Sequence, residues 1–198
     1  MIMDELLKSI KTDLRLSMNG VASTSMRDKG LQYKLNFGVE LPRIKSIAAK
    51  YEPSHQLACA LWKENIRECK ILAALLQPTE TFCEELADLW VEEIVNIELA
   101  ELTVMNLFIR LPYATKKSFQ WMASEREYIQ VCGFLLVARL LMRGEVLSDR
   151  AASELIDQAH AAISSDQYFP TKSARLALDK FAAQSEENAK KTEEDFSM

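Results

Sequence analysis

Residues 66–94 read IRECKILAALLQPTETFCEELADLWVEEI, and this stretch predicts two consecutive helices separated by a proline. The segment from Ile66 to Leu76 is apolar on most of its circumference, which is typical of a helix buried among neighbours. Pro78 then ends that helix. The second helix carries an apolar stripe at helical spacing, made of Phe82, Leu86, Trp90 and Ile94. A pair of helices facing one core is therefore the basic unit that the sequence indicates.

The second helix of this pair also has an acidic face opposite its apolar stripe. Its members are Glu84, Glu85, Asp88 and Glu92. Thr81 followed by Glu84 forms a possible capping box, which predicts that the helix begins near Thr81. A face made only of carboxylates is expected to be solvated.

The same periodicity extends through the chain, where apolar residues recur three and four positions apart and no stretch alternates with a period of two. Pro42, Pro78 and Pro112 lie 36 and 34 residues apart, a spacing typical of two-helix repeats in α-solenoids. The fold class that this spacing predicts is all-α, an α-solenoid of about five helix pairs with a concave inner face; the resemblance described below implies that it is HEAT-like. Circular dichroism with substantial strand content would contradict it.

Two regions depart from the helical pattern. Residues 18–38 contain three glycines and predict a short helix inside a structured loop. Residues 184–198 carry charge without apolar periodicity and are expected to be an acidic, frayed extension. We therefore expect one helical repeat domain over residues 1–183, followed by a tail.

The charge distribution is close to neutral outside the tail. The chain has 24 basic and 29 acidic residues, a net charge of −5, and the tail supplies −3 of this through five acids and two lysines. The remaining body carries −2. A dedicated nucleic-acid-binding domain usually has a clear basic excess, so charge argues mildly against tight DNA binding.

Several function classes lack their required residues. The N-terminus has no apolar signal segment, and no apolar run approaches the roughly 20 residues of a membrane span, so a cytoplasmic location is expected.

The four cysteines are far apart and predict reduced core thiols, with no metal site and no cofactor. His55 and His160 stand without a neighbouring cysteine or acid pair in the sequence. No Ser/His/Asp set or glycine-rich phosphate loop is present, which excludes the common hydrolases and nucleotide-binding enzymes.

Several longer motifs resemble the DNA alkylation repair family of HEAT-like proteins, whose founding members are alkylpurine DNA glycosylases of the AlkD type. These motifs are NGVASTSM at residues 19–26, GLQYKLNFGVELPRIKSIAAKY at 30–51, LACALW at 57–62 followed by Arg67, LWVEEI at 89–94, MNLF at 105–108, SEREYIQVCGFLLVARL at 124–140 and TKSARLALDKFA at 171–182. The resemblance covers roughly residues 18–183.

The resemblance implies particular groove residues. In that family an aromatic and a carboxylate four residues apart meet an arginine and a tryptophan from later helices, and the anion stabilises the oxocarbenium ion formed when a cationic alkylpurine leaves. These positions fall on Ile97, Glu101, Val131 and Leu176. Three are therefore aliphatic and the fourth changes from Asp to Glu. Aliphatic side chains neither stack a sugar nor stabilise charge, so the resemblance implies a scaffold without the family's catalytic groups.

The remaining candidates each have a functional and a structural interpretation. Glu98 and Glu101 could form a carboxylate pair for acid–base chemistry, or a solvated acidic rim with Glu92 and Glu93. The basic candidates for phosphate contacts, whose alternative is scattered solvated charge, are Lys116, Lys117, Arg126, Lys172 and Arg175. Three tryptophans, for which core packing is the better interpretation than base stacking, are Trp62, Trp90 and Trp121.

Three function hypotheses follow. The first is a divergent, non-catalytic relative of the alkylation-repair glycosylases whose groove binds DNA. The second is a HEAT-type scaffold for a protein partner, since such repeats offer extended binding surfaces. The third is an active alkylpurine DNA glycosylase that uses Glu101.

Overall fold

The computed structural model describes residues 2–31 and 33–195, and within them the chain forms twelve α-helices, two 3-10 turns and no strand. The helices are α1 (Ile2–Leu16), α2 (Gly20–Asp28), α3 (Leu41–Ala48), α4 (His55–Lys63), α5 (Arg67–Leu76), α6 (Glu84–Glu92), α7 (Ile97–Asn106), α8 (Ala114–Met122), α9 (Glu127–Met142), α10 (Asp149–Ile163), α11 (Tyr168–Ala182) and α12 (Glu186–Asp195). The 3-10 turns span Thr79–Thr81 and Phe108–Arg110. The all-helical prediction is confirmed.

The chain divides into two compact units, Met1–Cys83 and Glu84–Met198. In the first unit α4 packs against α5, α3 also lies on α5, and α1 lies on α3 and α4. The boundary falls between the two helices of the opening stretch, so α5 belongs to the first unit and α6 to the second.

Helix starts follow local capping chemistry. The side chains of Asn19, Ser54, Asn96 and Ser148 each accept a hydrogen bond from a backbone N–H in the first turn of the following helix. Each bond satisfies one donor that a helix leaves without an internal partner. The predicted capping box is not the start of α6, because Thr81 lies in a 3-10 turn and its hydroxyl donates to the Pro78 carbonyl.

The loop after α2 is held by two buried charged residues at the start of α5. The Glu68 carboxylate, fully buried, accepts from the backbone N–H groups of Phe37 and Val39 at 3.1 Å each. Arg67 donates to the Val39 carbonyl at 2.9 Å and to Glu68 at 3.0 Å. Since a buried carboxylate requires such partners, the pair ties the loop to α5. The prediction of a short helix in a structured loop is confirmed by α2.

The second unit is organised around α9. Eight consecutive residues of this helix, Val131 to Ala138, are buried, as expected for a helix enclosed by others. Helices α8, α7 and α11 all pack on α9, and α10 packs on α11. This arrangement places α7 and α11 against the same central helix, which positions the site described below.

The C-terminal region differs from the expectation of a frayed extension. Residues 186–195 form α12, which packs on α11. Asn188 donates from its side chain to the Phe181 carbonyl at 3.2 Å, and Lys191 pairs with Asp149 at 3.0 Å. Polar contacts hold this helix, and a search for apolar periodicity overlooks such contacts.

The cysteine prediction also needs a correction. Cys69 and Cys132 are buried, whereas Cys59 is half-buried and Cys83 is exposed. Only two of the four thiols therefore belong to the core. Burial raises the pKa of the Cys69 thiol to about 12, so this thiol stays protonated.

Candidate nucleic-acid interface of the second unit

A recess of about 120 Å³ opens where α7, α9 and α11 meet. The seven side chains that line it are Ile97, Glu101, Leu135, Phe169, Lys172, Ser173 and Leu176. Typical ligand pockets measure roughly 300–1,000 Å³, so this recess is too small to enclose a drug-sized ligand. It is better described as a shaped surface.

Helical spacing explains why these residues converge. Ile97 and Glu101 are four residues apart on α7, whose start is set by Asn96 capping the Leu99 N–H at 2.9 Å. Phe169, Lys172 and Leu176 follow one another at spacings of three and four on α11. Residues at these spacings lie on one helix face. Four residues singled out from the sequence, Ile97, Glu101, Lys172 and Leu176, thus line one recess.

Glu101 and Lys172 are the two ionisable groups of the recess. Both are exposed, and neither forms an ion pair with a residue in the described ranges. A carboxylate and an ammonium group therefore border the same aliphatic wall, which is formed by Ile97, Leu135 and Leu176.

Two other candidates lie elsewhere. Val131 has no exposed surface, so its side chain is part of the core of α9 and not of the recess. Leu135, one turn further along α9, is the residue of this helix that lines the recess. Glu98 is half-buried and does not line the recess, which contains Glu101 alone of the possible acid–base pair.

Three of the five basic candidates form ion pairs with the acidic face of α6. Lys116 pairs with Glu84 at 2.7 Å, and Lys117 pairs with Asp88 at 2.7 Å. Trp121 donates its indole N–H to the same Asp88 carboxylate at 2.9 Å. The acidic face was expected to be solvated, but it instead neutralises the lysines of α8.

Arg126 is engaged in the same way. Its guanidinium donates to the Glu92 carbonyl at 2.9 Å and lies 3.6 Å from the Glu92 carboxylate. The hydrogen bond from Lys116 holds the pKa of Glu84 below its ordinary value, which is the sign of a carboxylate stabilised in its charged form. These pairs leave Lys116, Lys117 and Arg126 less available to phosphate groups.

Lys172 and Arg175 differ from the other three candidates. Both are exposed on α11, and neither pairs with a carboxylate in the part of the chain that the structure describes. Lys172 lines the recess beside Glu101, whereas Arg175 lies at a separate recess that Asp179 also lines. They are consequently the two predicted phosphate ligands that form no ion pair within the described part of the chain.

The sequence reasoning missed an aromatic cluster at the start of α11. Tyr168 is 68% exposed, and its ring packs edge-on against Phe169 with centroids 5.2 Å apart. Phe169 in turn lies 5.9 Å from the ring of Tyr128 on α9. The sequence feature that could have indicated this cluster is the Tyr-Phe pair immediately before Pro170. Proline is common in the first turn of a helix, and two adjacent rings at a helix start cannot both face the core.

The tryptophans belong to the core, as predicted. Trp62, Trp90 and Trp121 are between 2% and 4% exposed. None of the three offers a ring face to an external base. Among the described residues of the second unit, the aromatic side chain that is largely exposed is Tyr168.

A cysteine–histidine contact in the first unit corrects the view that His55 stands alone. Cys59 Sγ lies 3.7 Å from His55 Nε2, and His55 Nδ1 lies 3.2 Å from the buried Gln77 side chain. Burial raises the pKa of the Cys59 thiol in spite of nearby Lys63. A nucleophilic cysteine requires a lowered pKa, so this contact is not an activated nucleophile.

Two further observations concern the described residues as a whole. They contain no cluster of three His, Cys, Asp or Glu side chains suited to a metal ion. None of their helices combines the length and apolar character needed to cross a membrane.

The fold and the recess define a class of helical-repeat protein with a surface of mixed charge on α7 and α11. A model of the family described as DNA alkylation repair enzyme matches residues 10–191. The chain therefore belongs to the DNA alkylation repair enzyme family.

One solved structure, described as "a new family of proteins related to the HEAT-like repeat DNA glycosylases with affinity for branched DNA structures", is similar with a TM-score of 0.84. The sequence identity is 17%, and the match covers 95% of this chain and 80% of that chain. At this identity the likeness establishes the fold, and the HEAT-like prediction is confirmed. No curated protein matches the chain.

Proposed function

We propose that this protein binds DNA through the α11 surface of its second unit and does not excise alkylated bases. The observation that carries the proposal is a pair of exposed cations on α11, Lys172 and Arg175, which form no ion pair among the described residues; Lys172 also lines the recess with aliphatic walls. Phosphate contacts by Lys and Arg supply most of non-specific DNA affinity. Membership of a DNA repair family supports DNA as the ligand.

Branched DNA is the ligand class that we propose. The structural relative is described as having affinity for branched DNA structures. The body of the protein is nearly neutral, so one face of a linear duplex would gain little electrostatic attraction from it. The arms of a branched DNA bring more phosphates close to the cations of α11, which increases that attraction. Binding is expected to be weak on linear duplex and to fall steeply with salt.

The recess also explains the expected lack of excision. An alkylated purine is cationic, so the Lys172 ammonium group in the same recess would repel it. Ile97, Leu135 and Leu176 supply neither the stacking surface nor the oriented dipoles that stabilise developing charge. Glu101 remains as a carboxylate, but its field is opposed by the neighbouring cation.

One observation favours a second candidate, an alkylpurine DNA glycosylase that uses Glu101. This carboxylate is exposed, forms no ion pair among the described residues, and lines the recess together with the aromatic ring of Phe169. An anion beside an aromatic ring is the minimal requirement for stabilising an oxocarbenium ion. An assay of base release, given in the Discussion, distinguishes the two candidates.

The test of DNA binding compares two double variants with the same change of net charge. Lys172→Ala with Arg175→Ala removes the two cations that form no ion pair among the described residues. Lys116→Ala with Arg126→Ala removes two cations that are paired with α6. Affinity for a four-way DNA junction is measured by gel shift or anisotropy at several salt concentrations. We expect the first variant to lower the salt slope by about 2, since each phosphate contact contributes roughly one unit.

The second variant should keep the wild-type slope. Equal losses in both variants would contradict the assignment of the α11 surface, because they would reflect net charge alone. Failure of the wild-type protein to bind any duplex, nicked or branched DNA at low salt would refute DNA binding and favour a HEAT-type scaffold for a protein partner.

A further inference from the structure

We propose that Tyr168 stacks against an unpaired base of the bound DNA while Lys172 contacts the adjoining phosphate. This inference rests on the proposed function and specifies which part of a branched DNA the site recognises. Bases inside a duplex are already stacked on their neighbours, so a protein ring has access only to bases at a branch point or a single-stranded end. The α11 surface would therefore select DNA with unpaired nucleotides.

The exposure of Tyr168 is the first argument. Its side chain is 68% exposed in the first turn of α11. A large aromatic face left in water gains free energy when a flat apolar partner covers it. Tyr168 is the exposed aromatic beside the recess, since Phe169 and Tyr128 are both half-buried.

The orientation of the ring is the second argument. Phe169 meets the Tyr168 ring at an interplanar angle of 75° and a centroid distance of 5.2 Å. Phe169 is itself held against Tyr128 on α9 at 5.9 Å. An edge-on neighbour restrains the orientation of the Tyr168 ring. A restrained aromatic ring loses little conformational entropy when a base stacks on it.

The charge pattern is the third argument. Tyr168, Lys172 and Arg175 follow at spacings of four and three, so they share one face of α11. At 1.5 Å per residue they extend about 10 Å along the helix axis. Lys172 Nζ lies 6.0 Å from the centroid of the Tyr168 ring. A base on the ring would thus have a cation within reach of its phosphate and a second cation one turn further on.

The size of the recess argues against an alternative in which the base enters it. Its volume of about 120 Å³ is well below that of typical ligand pockets, and its walls are mainly aliphatic. The recess offers Glu101, Lys172 and Ser173 as polar groups, and Phe169 is the aromatic residue among those that line it. A base would accordingly lie on Tyr168 at the rim and not inside.

The experiment compares two variants at Tyr168 on two DNA ligands. Tyr168→Leu removes the ring but keeps an apolar side chain, and Tyr168→Phe keeps the ring as the matched control. The ligands are a linear duplex and a duplex of equal length with a single-stranded flap. We expect Tyr168→Leu to weaken flap binding by roughly 5- to 100-fold, the effect of losing one base–aromatic stack, and to leave duplex binding unchanged. Tyr168→Phe should bind both ligands like the wild type.

A second readout separates stacking from charge. A stack releases no counterions, so Tyr168→Leu should keep the salt slope of the wild type while Lys172→Ala lowers it by about 1. Thermal unfolding of all variants should match the wild type, because both side chains are exposed.

The outcomes are separable from those of the proposed function. If Lys172 and Arg175 govern DNA affinity but Tyr168→Leu binds the flap as tightly as the wild type, base stacking is refuted and DNA binding stands. If Tyr168→Phe loses affinity as much as Tyr168→Leu, the hydroxyl and not the ring is the contact, which also overturns the inference. A wild-type protein that binds neither ligand at low salt overturns both proposals.

Discussion

The Thr103 hydroxyl on α7 is fully buried and forms no hydrogen bond within the described part of the chain. A buried hydroxyl without a partner costs roughly 1–3 kcal/mol relative to one in water. Valine has nearly the same shape without the polar atom. The Thr103 hydroxyl therefore lowers the stability of the folded protein, and a substitution that removes it should raise the free energy of unfolding.

We predict that Thr103→Val raises the free energy of unfolding by about 1 kcal/mol or more. In a protein of this size such a change raises the thermal midpoint by roughly 2–4 °C. Differential scanning calorimetry or circular dichroism measures it. The matched control is Thr171→Val, because the Thr171 hydroxyl donates to the Ala162 carbonyl at 3.0 Å. The control should lower the midpoint, and a midpoint that falls in both variants would mean that the Thr103 hydroxyl has a partner in solution.

At the scale of elements, the contact between α8 and α9 depends on Gly133. A Cβ atom at this position would lie 2.8 Å from both the Ser118 oxygen and the Trp121 carbonyl carbon, and closer still to Met122 N. All three are backbone atoms, which cannot rotate away. Helices approach this closely only where one of them lacks a side chain.

We predict that Gly133→Ala destabilises the second unit by at least about 1–3 kcal/mol, the cost of overpacking a tight core. Urea unfolding followed by tryptophan fluorescence is suitable because Trp121 lies at the contact. Gly20→Ala is the control, since no atom lies within 4 Å of its added Cβ at the start of α2. The control should change stability by less than about 0.5 kcal/mol. Equal stability of the two variants would show that α8 and α9 can separate without cost.

Helix α6 illustrates how far an element can be understood from its own sequence. The spacing of its residues predicted an apolar stripe, because helix periodicity is a local property. Of that stripe Phe82, Trp90 and Ile94 are buried and Leu86 is half-buried, and Phe82 and Ile94 lie just outside the ends of the helix. The partners of its acidic face were not predictable. They come from α8, about 30 residues later, and only the packing of the unit brings Lys116 and Lys117 against Glu84 and Asp88.

At the scale of the whole molecule, the chain combines the scaffold of its family with the recess on α7, α9 and α11. The family match spans residues 10–191, which is almost the entire chain. The recess nevertheless presents aliphatic residues and Lys172 around Glu101. The scaffold depends on many core residues, whereas base excision depends on a few groups that can change without loss of the fold.

We predict that the purified protein releases neither 3-methyladenine nor 7-methylguanine from alkylated DNA above background. Chromatography of the released bases measures this, with Glu101→Gln as the comparison. The wild type and Glu101→Gln should release bases at the same background rate. The aliphatic wall and the Lys172 cation do not stabilise the positive charge that develops in the transition state of base release. Base release by the wild type that Glu101→Gln abolishes would establish the glycosylase candidate in place of the non-catalytic one.

The sequence by itself determined the helices and the family. Apolar spacing, prolines at helix margins and the motifs between residues 18 and 183 specified them, because these signals are local in the chain. It also selected Ile97, Glu101, Lys172 and Leu176, which the structure brings to one recess. Helical spacing alone could not establish that these residues of α7 and α11 meet.

Only the tertiary structure decided which cations are free and which aromatic is exposed. Lys116 and Lys172 are equivalent in the sequence, yet one is neutralised by α6 and the other faces solvent. The way α9 and α11 pack against each other places Leu135, and not Val131, at the recess. The same packing leaves Tyr168 on the surface. The physical reason is that charge compensation and exposure are properties of residues distant in the chain, which only packing brings together.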